Sequence, residues 1–309
     1  MRVLVTGGAG YIGTTLVPLL LAKEYQITVL DTLDFGIGPL FPFFREPTFS
    51  FVQASVLDRY TLERAAADCD AIVHLAAVSG QHACERDPER AQAVNERGTE
   101  AVASITGRNR PLLFASSGSC YGAVRKAICT EQTPLHPLSL YGRTKAAGEA
   151  IVRGQCSAVI YRFATGYGIS PRMRPELLIN YFVLAALKEP KLTVFEPFAR
   201  RTFIHVEDIA RAILFALENV EPMAGSTYNV GDESQNLTKQ QVVELIRRRL
   251  PSIRVDCDPQ EQDLDRRDYA VSYERIKSLG FKTRISVEAG IDELIRALRW
   301  WRQIEGIPA

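Results

Sequence analysis

Apolar positions in the first half of the chain come as short unbroken runs, such as Val3-Leu4-Val5 and Ala71-Ile72-Val73, rather than in strict alternation. A strand buried on both faces needs that pattern. The runs predict strands at Arg2–Thr6, Gln26–Leu30, Ser50–Gln53, Ala71–His74, Pro111–Ser116 and Ala158–Arg162. Between them, helical spacing predicts helices near Tyr11–Lys23, Arg59–Ala67, Cys84–Arg108 and Tyr141–Arg153. Strand and helix in alternation predict an α/β fold, a doubly wound parallel sheet with ligands at the carboxyl ends of its strands.

After about Gly166 the pattern shifts. Pro171, Pro175, Pro190 and Pro197 cut the chain into shorter pieces, with helices expected at Glu176–Leu187, Val206–Glu218, Thr238–Leu250 and Ser286–Trp301. The expected organisation is a sheet domain of residues 1–165 plus about 203–230. A smaller mixed C-terminal lobe, about 166–202 plus 231–309, would lie over the ligand edge. Phe35–Pro47 reads as a long loop after the second strand.

Composition narrows the function classes. The formal net charge of +1 gives no bulk attraction to nucleic acid or to an anionic membrane. No apolar run reaches the roughly 18 residues of a membrane span, and the opening Met1–Gly7 has no signal-peptide layout. Six scattered cysteines (Cys69, Cys84, Cys120, Cys129, Cys156, Cys257) with no C-x-x-C are expected to be free thiols in a reducing cytoplasm, with no metal site.

The candidate chemistry lies in the order of three motifs. Gly7-Gly8-Ala9-Gly10-Tyr11-Ile12-Gly13 joins the first strand to a helix. Glycine permits the tight turn and lets backbone N–H groups approach a pyrophosphate at the helix's positive end. Asp31 closes the second strand, where a carboxylate accepts hydrogen bonds from ribose hydroxyls and repels a 2′-phosphate. No Arg or Lys follows it immediately, so NAD is expected over NADP. Further on, Tyr141 stands four residues before Lys145, on one helix face. A nearby ammonium favours the phenolate of a group whose ordinary pKa is about 10. Ser116–Ser119 ends the fifth strand, where a hydroxyl would meet the nicotinamide.

With these motifs the chain resembles the extended short-chain dehydrogenase/reductase family, in its branch of NAD-dependent nucleotide-sugar epimerases and dehydratases, which has a Rossmann-type sheet. The likeness also rests on Val73–Ala77, Asn95-x-x-Gly98-Thr99, Arg162-Phe163, Ser170-Pro171-Arg172-Met173, Asn180 and Arg201–Asp208. It implies that Ser117, Tyr141 and Lys145 are catalytic, Tyr141 acting as base and Ser117 orienting the same oxygen. It implies an NAD site of Gly7, Gly10, Tyr11, Ile12, Gly13, Asp31, Ser55, Val56, Leu75, Ala76 and Ala77, with Tyr141 and Lys145 at its reacting end. Substrate contacts are expected from Ser119, Thr165, Asn180, Arg201 and Arg267. The partner implied is a nucleotide-diphosphate sugar. A homodimer is expected by family analogy, through Cys84–Arg108 and Tyr141–Arg153.

Departures from the family pattern narrow the reaction. The 4,6-dehydratases carry Asp-Glu after their catalytic Thr, and the glucuronate decarboxylases a Glu at the second of these places, where this chain has Gly118 and Ser119. Neither residue shuttles a proton at neutral pH. The expected activity is therefore epimerisation, at C4 through a transient 4-keto sugar. A 4-ketoreductase, dehydratase or decarboxylase of the same family is the alternative, and a non-catalytic dinucleotide sensor a third class. Ser55 replaces a family Asp near the adenine and is a weaker hydrogen-bonding group than a carboxylate. Thr165 replaces a family Asn, and Phe195-Glu196-Pro197-Phe198 a glycine-rich stretch, so the substrate is expected to differ from ordinary UDP-glucose. His74 is expected to be structural, and Trp300 and Trp301 to pack.

Overall fold

Seven strands form the central sheet of the computed structural model: β1 (Arg2–Thr6), β2 (Gln26–Asp31), β3 (Phe49–Gln53), β4 (Ala71–His74), β5 (Leu112–Ser117), β6 (Val159–Phe163) and β7 (Thr227–Val230). Described are residues 1–108, 110–122, 124–189, 191–258 and 268–301, less some side chains at 125–127, 257–258 and 301. The spatial order is β7-β6-β5-β4-β1-β2-β3, and every neighbouring pair is parallel. The chain winds outward from β1 to β3, then crosses back to place β4 on β1's other side. The connections diverge there, and the divergence opens a cleft beyond the carboxyl ends of the strands.

The unbroken apolar runs follow from burial of both sheet faces. Val3, Val5, Ala71, Val73, Leu113 and Tyr161 belong to one core, with Leu16, Val17, Ile209 and Ile213 from the helices Gly13–Leu21 and Val206–Glu218. Their neighbours Leu4, Ile72, Phe114 and Ile160 point the other way. They meet Leu62, Val102 and Val152 of the helices Arg59–Ala66, Gly98–Thr106 and Leu140–Gln155. Each such side chain contributes about 1.5–3 kcal/mol on burial.

The expected strands are present to within a residue at each end, and β7 is an addition. The long helix expected over Cys84–Arg108 is divided into Gln81–Arg86, Pro88–Gln92, a π-turn at Ala93–Arg97 and Gly98–Thr106. Pro88 is the cause of the break. Asp87 before it leaves the helical region (φ −143°, ψ 80°), and its carboxylate accepts from the Arg90 N–H to start the next turn. The Phe35–Pro47 loop contains a 3-10 helix at Gly38–Arg45.

Three small sheets surround the carboxyl-edge region. Arg200–His205 lies between Thr165–Tyr167 and Asn236–Thr238; Lys191–Phe195 pairs with Arg254–Asp258, and Arg125–Cys129 with Asp268–Val271. Helices Leu178–Lys188, Lys239–Arg249 and Val287–Trp301 share a separate core of Ile179, Val183, Val242, Ile246, Ile291 and Leu294. Trp300 is exposed rather than packed, because that last helix presents Leu294 and Leu298 to the core and position 300 falls off that face. Among the described residues, no helix is long and apolar enough to cross a membrane.

Candidate active site

The glycine turn is shaped by close approach. Gly7 has φ +74°, and a Cβ there would stand 2.5 Å from the Ala76 nitrogen. A Cβ on Gly13 would stand 2.5 Å from the Gly8 Cα. The Gly10 N–H donates to Gly7 O (3.2 Å) and the Thr14 N–H to Gly10 O (3.0 Å), so the helix Gly13–Leu21 starts directly from the turn. Its positive end faces the cleft between β1 and β4. At the end of β2, the Asp31 carboxylate accepts from the Ala9 N–H (3.0 Å) and the Leu33 N–H (2.9 Å). Burial raises the Asp31 pKa, against those two hydrogen bonds. The Cβ-sized cradle, the helix start and the carboxylate together fit a dinucleotide.

The other expected cofactor residues have mixed placements. Leu75, Ala76 and Ala77 are half-buried beyond β4, where the Leu75 N–H donates to Thr6 O (3.0 Å). Ser55 accepts from the Leu57 N–H (3.1 Å), and Val56 is buried against Gly98. Ile12 is half-buried beside the turn. Tyr11 is buried, and its hydroxyl donates to Gly168 O (2.9 Å). Ser170 donates to Tyr11 O (2.7 Å) and lies 3.0 Å from the Thr14 hydroxyl. A loop from the second half of the chain is thereby bolted onto the glycine turn.

At the reacting end, three elements converge. Ser117 closes β5; its hydroxyl accepts from the Ser119 N–H (3.1 Å) and donates to the Ser119 hydroxyl (3.1 Å). Ser139 caps the helix Leu140–Gln155 by accepting from the Gly142 N–H (3.1 Å), which puts Tyr141 in its first turn. That turn packs directly on the serine segment, where a Cβ on Gly142 would come within 2.7 Å of Ser119 O. One turn later Lys145, only 4% exposed, donates to Ala115 O (2.8 Å) and stands over the Phe114 ring. Burial lowers its pKa to about 8. Tyr141 is hydrogen-bonded by Ser79, yet burial still pushes its phenol above the ordinary value. The expected easing of its ionisation is thus outweighed by desolvation in the protein alone.

Behind this centre lie buried groups that brace it. Glu149, 0% exposed, accepts from Arg162 Nε (2.9 Å) and Nη2 (2.8 Å), from Ser116 Oγ (2.6 Å) and from Arg153 (2.7 Å). The helix Leu140–Gln155 is so tied to β5 and β6. Asn95 accepts from the Val78 N–H (2.8 Å) and donates to Val78 O and to Thr144 (both 3.0 Å), bracing the loop after β4 against the same helix. His74 lies between Thr6 (2.7 Å) and Thr99 (3.0 Å), and burial lowers its pKa to about 3. Since Thr99 gives its own proton to Asn95 O, Nε2–H donates and Nδ1 accepts. This is the structural role expected of it. Arg174 donates to the Ser79 hydroxyl (3.1 Å) and carbonyl (3.3 Å), which brings a guanidinium close to Tyr141.

The expected substrate residues separate. Ser119 is buried beside Ser117, and Thr165 lies two residues past Phe163, the register partner of Ser117. Both are at the carboxyl edge. Asn180, 0% exposed, spends its amide on the Gly168 N–H (2.9 Å) and Arg174 O (3.0 Å), shaping the loop over the glycine turn. Arg201 is buried on the strand Arg200–His205 and donates to Arg200 O (3.2 Å). Arg267 lies outside the described residues. Cys84 and Cys120 are buried, and burial pushes both thiols up to about 11. Among the described residues, no cluster of metal-ligating side chains is present.

A family model, the NAD dependent epimerase/dehydratase family, matches residues 3–231. The dTDP-glucose 4,6-dehydratase of Streptomyces niveus is 29% identical, over 99% of this chain and 96% of its own. The UDP-glucose 4-epimerase of Bacillus subtilis is 30% identical, over 75% of this chain and 77% of its own. The crystal structure of DesIV, a dTDP-glucose 4,6-dehydratase from Streptomyces venezuelae with NAD and TYD bound, superposes with a TM-score of 0.82 at 29% identity, covering 98% of this chain and 97% of that one.

Proposed function

We propose that this chain, which belongs to the NAD dependent epimerase/dehydratase family and is an NAD-dependent enzyme of that type, is a nucleotide-sugar epimerase inverting C4 of a hexose through a transient 4-keto sugar. The observation that carries the reading is the turn after β5. It holds Gly118, Ser119 and Cys120 and no carboxylate. The Ser119 hydroxyl is paired with Ser117, and the Cys120 thiol is buried and un-ionised near neutrality. Tyr141 is then the one group of this centre suited to exchange a proton with the sugar, and C4 inversion needs no other.

In this reading Gly7, Gly10, Gly13, the helix start and Asp31 hold NAD, with Leu75–Ala77 along its path. Bound NAD supplies a reversible hydride acceptor and, when oxidised, a positive charge beside the phenol. Tyr141 takes the proton of the C4 hydroxyl and later returns it. Ser117 hydrogen-bonds the same oxygen and fixes its direction. Lys145, anchored on Ala115 O, keeps an ammonium one helical turn behind the phenol. Such acid–base assistance is worth about 10²–10⁴-fold. Ser119 and Thr165 face the sugar, Asn180 shapes the loop around it, and Arg201 and Arg267 take the diphosphate. The sheet domain of residues 1–165 plus about 203–230 carries the cofactor, the remainder the substrate. A homodimer completes the reading, with sedimentation as its check.

A second reading, 4,6-dehydration, is favoured by the likeness to the Streptomyces niveus enzyme across 99% of this chain. One experiment separates the two. The purified chain is incubated with UDP- and dTDP-linked glucose and galactose, without added cofactor, and the products are followed by mass spectrometry and NMR. An isomer of unchanged mass is expected, with none formed by Tyr141→Phe. Loss of water from the sugar, or product only with stoichiometric reduced cofactor, would reject epimerisation.

A further inference from the structure

The absence of a basic residue directly after Asp31 is only half of the local charge pattern. The loop bolted to the glycine turn through Ser170 continues to Arg172, whose N–H approaches the Thr14 hydroxyl (3.4 Å). Its guanidinium lies over the Phe35 ring, 3.5 Å from the centroid. Phe35 follows Asp31 by four residues, on the loop leaving β2. An arginine far along the sequence is therefore brought to the mouth of the position where Asp31 would hold the adenosine ribose. The guanidinium is half-buried and forms no ion pair among the described residues. It couples with Asp31 in both directions: each charge favours the ionised form of the other.

We propose that Arg172 is a second determinant of cofactor choice, the cation that a 2′-phosphate on the adenosine ribose would meet once the Asp31 charge is removed. Asp31 and Arg172 pull in opposite directions on that phosphate. The carboxylate repels it, and the guanidinium is the side-chain type best suited to bind it. With both present, Asp31 is the closer to the ribose, since it is fixed to Ala9 and Leu33 at the edge of the glycine turn, and NAD wins. The stack on Phe35 holds the guanidinium without using up its N–H donors. The proposal rests on the reading of the glycine turn and Asp31 as the cofactor site.

The test is a binding cycle on the full chain freed of nucleotide, reading the dissociation constants of NAD and NADP by calorimetry. Asp31→Ser should lower the ratio Kd(NADP)/Kd(NAD) by at least about tenfold. Adding Arg172→Gln should return that ratio by about tenfold, whereas Asp31→Ser with Arg172→Lys should keep part of the gain. These factors correspond to one charge-assisted hydrogen bond to phosphate. If Arg172→Gln weakens NAD and NADP equally, the arginine serves the shared pyrophosphate and the proposal falls. It falls equally if Arg172→Gln changes neither. If Asp31→Ser leaves both constants unchanged, the cofactor site itself is misassigned, a separate failure. Asp31→Asn, which keeps an acceptor for the Ala9 and Leu33 N–H groups, replaces Asp31→Ser if the latter melts early.

Discussion

Removing the charge of Glu149 should destabilise the protein more than any surface change while leaving the glycine turn untouched. Glu149 is 0% exposed and Arg162 3%, and they are joined by two hydrogen bonds of 2.8 and 2.9 Å. Glu149→Gln leaves the guanidinium without its counter-charge in a site closed to water. Breaking a buried pair from one side costs about 3–5 kcal/mol. Set against a total stability of about 5–15 kcal/mol, that is a large share. At about 2 °C per kcal/mol for a large chain, the melting temperature should fall by about 6–10 °C. The assay is calorimetry and urea unfolding of Glu149→Gln, of Glu149→Met and Arg162→Met singly, and of the double variant Glu149→Met/Arg162→Met. The double variant should be destabilised by at least about 2 kcal/mol less than the summed losses of Glu149→Met and Arg162→Met, because no buried charge is left unpaired; Arg153, the other partner of Glu149, is 45% exposed. Single losses under about 1 kcal/mol, or strict additivity, would refute the reasoning. The pH dependence has a definite sign. The partners hold the Glu149 pKa below its unfolded value of about 4.3. Its contribution is therefore complete above that value and lost as pH falls through the folded pKa, so Glu149→Gln should unfold less steeply in acid than the wild type.

Three further outcomes follow from the site. Tyr141→Phe should reduce kcat by about 10²–10⁴-fold with an unchanged melting temperature, measured by sugar interconversion; full activity would remove Tyr141 as the base. Gly7→Ala should cost about 1–3 kcal/mol from φ +74° alone. It should also weaken NAD more than tenfold, because its Cβ meets Ala76 N at 2.5 Å; unchanged calorimetric binding would contradict the cradle. Since burial lowers the Lys145 pKa to about 8, the ammonium is lost as pH rises through that value. The initial rate should fall above about pH 8, and a rate flat to pH 10 would show that the charge is not required.

The sheet was legible because its strands are buried on both faces, which leaves an apolar run that no amphipathic helix imitates. β7 escaped the strand reading because Thr227-Tyr228-Asn229-Val230 is short and half polar. Its Asn229 is buried through a hydrogen bond from Tyr121 (2.6 Å), a partner 108 residues away. The break at Asp87-Pro88 was in principle readable from the proline. The π-turn at Ala93–Arg97 was not, since nothing in its composition distinguishes i→i+5 from i→i+4 bonding. Within the site, Gly7, Asp31, Ser117, Tyr141 and Lys145 stand out because local backbone demands or motif spacing mark them. Glu149 does not, because a glutamate on a helix ordinarily faces water, and only Arg162 on a distant strand makes its burial tolerable. Arg172 and Arg174 reach the site across a loop whose position depends on Tyr11, Ser170 and Asn180.

The electrostatics of the reacting centre qualify the simplest idea of a lysine-activated tyrosine. Burial disfavours both charged forms there, raising the Tyr141 phenol and lowering the Lys145 ammonium. The Lys145 ammonium hydrogen-bonds the Ala115 carbonyl of β5. In the protein alone the Tyr141 phenol is held in its protonated form, which would be useful for the base role proposed for it. A phenolate present before the sugar and the oxidised cofactor were seated would be quenched by water or by a stray proton donor. A phenol that ionises only when another positive charge enters the same low-dielectric space ties proton removal to a loaded site. The Ser79 hydrogen bond and the Arg174 charge act against burial by favouring the phenolate, so the position of the loop at Gly168–Arg174 bears on the acidity of Tyr141.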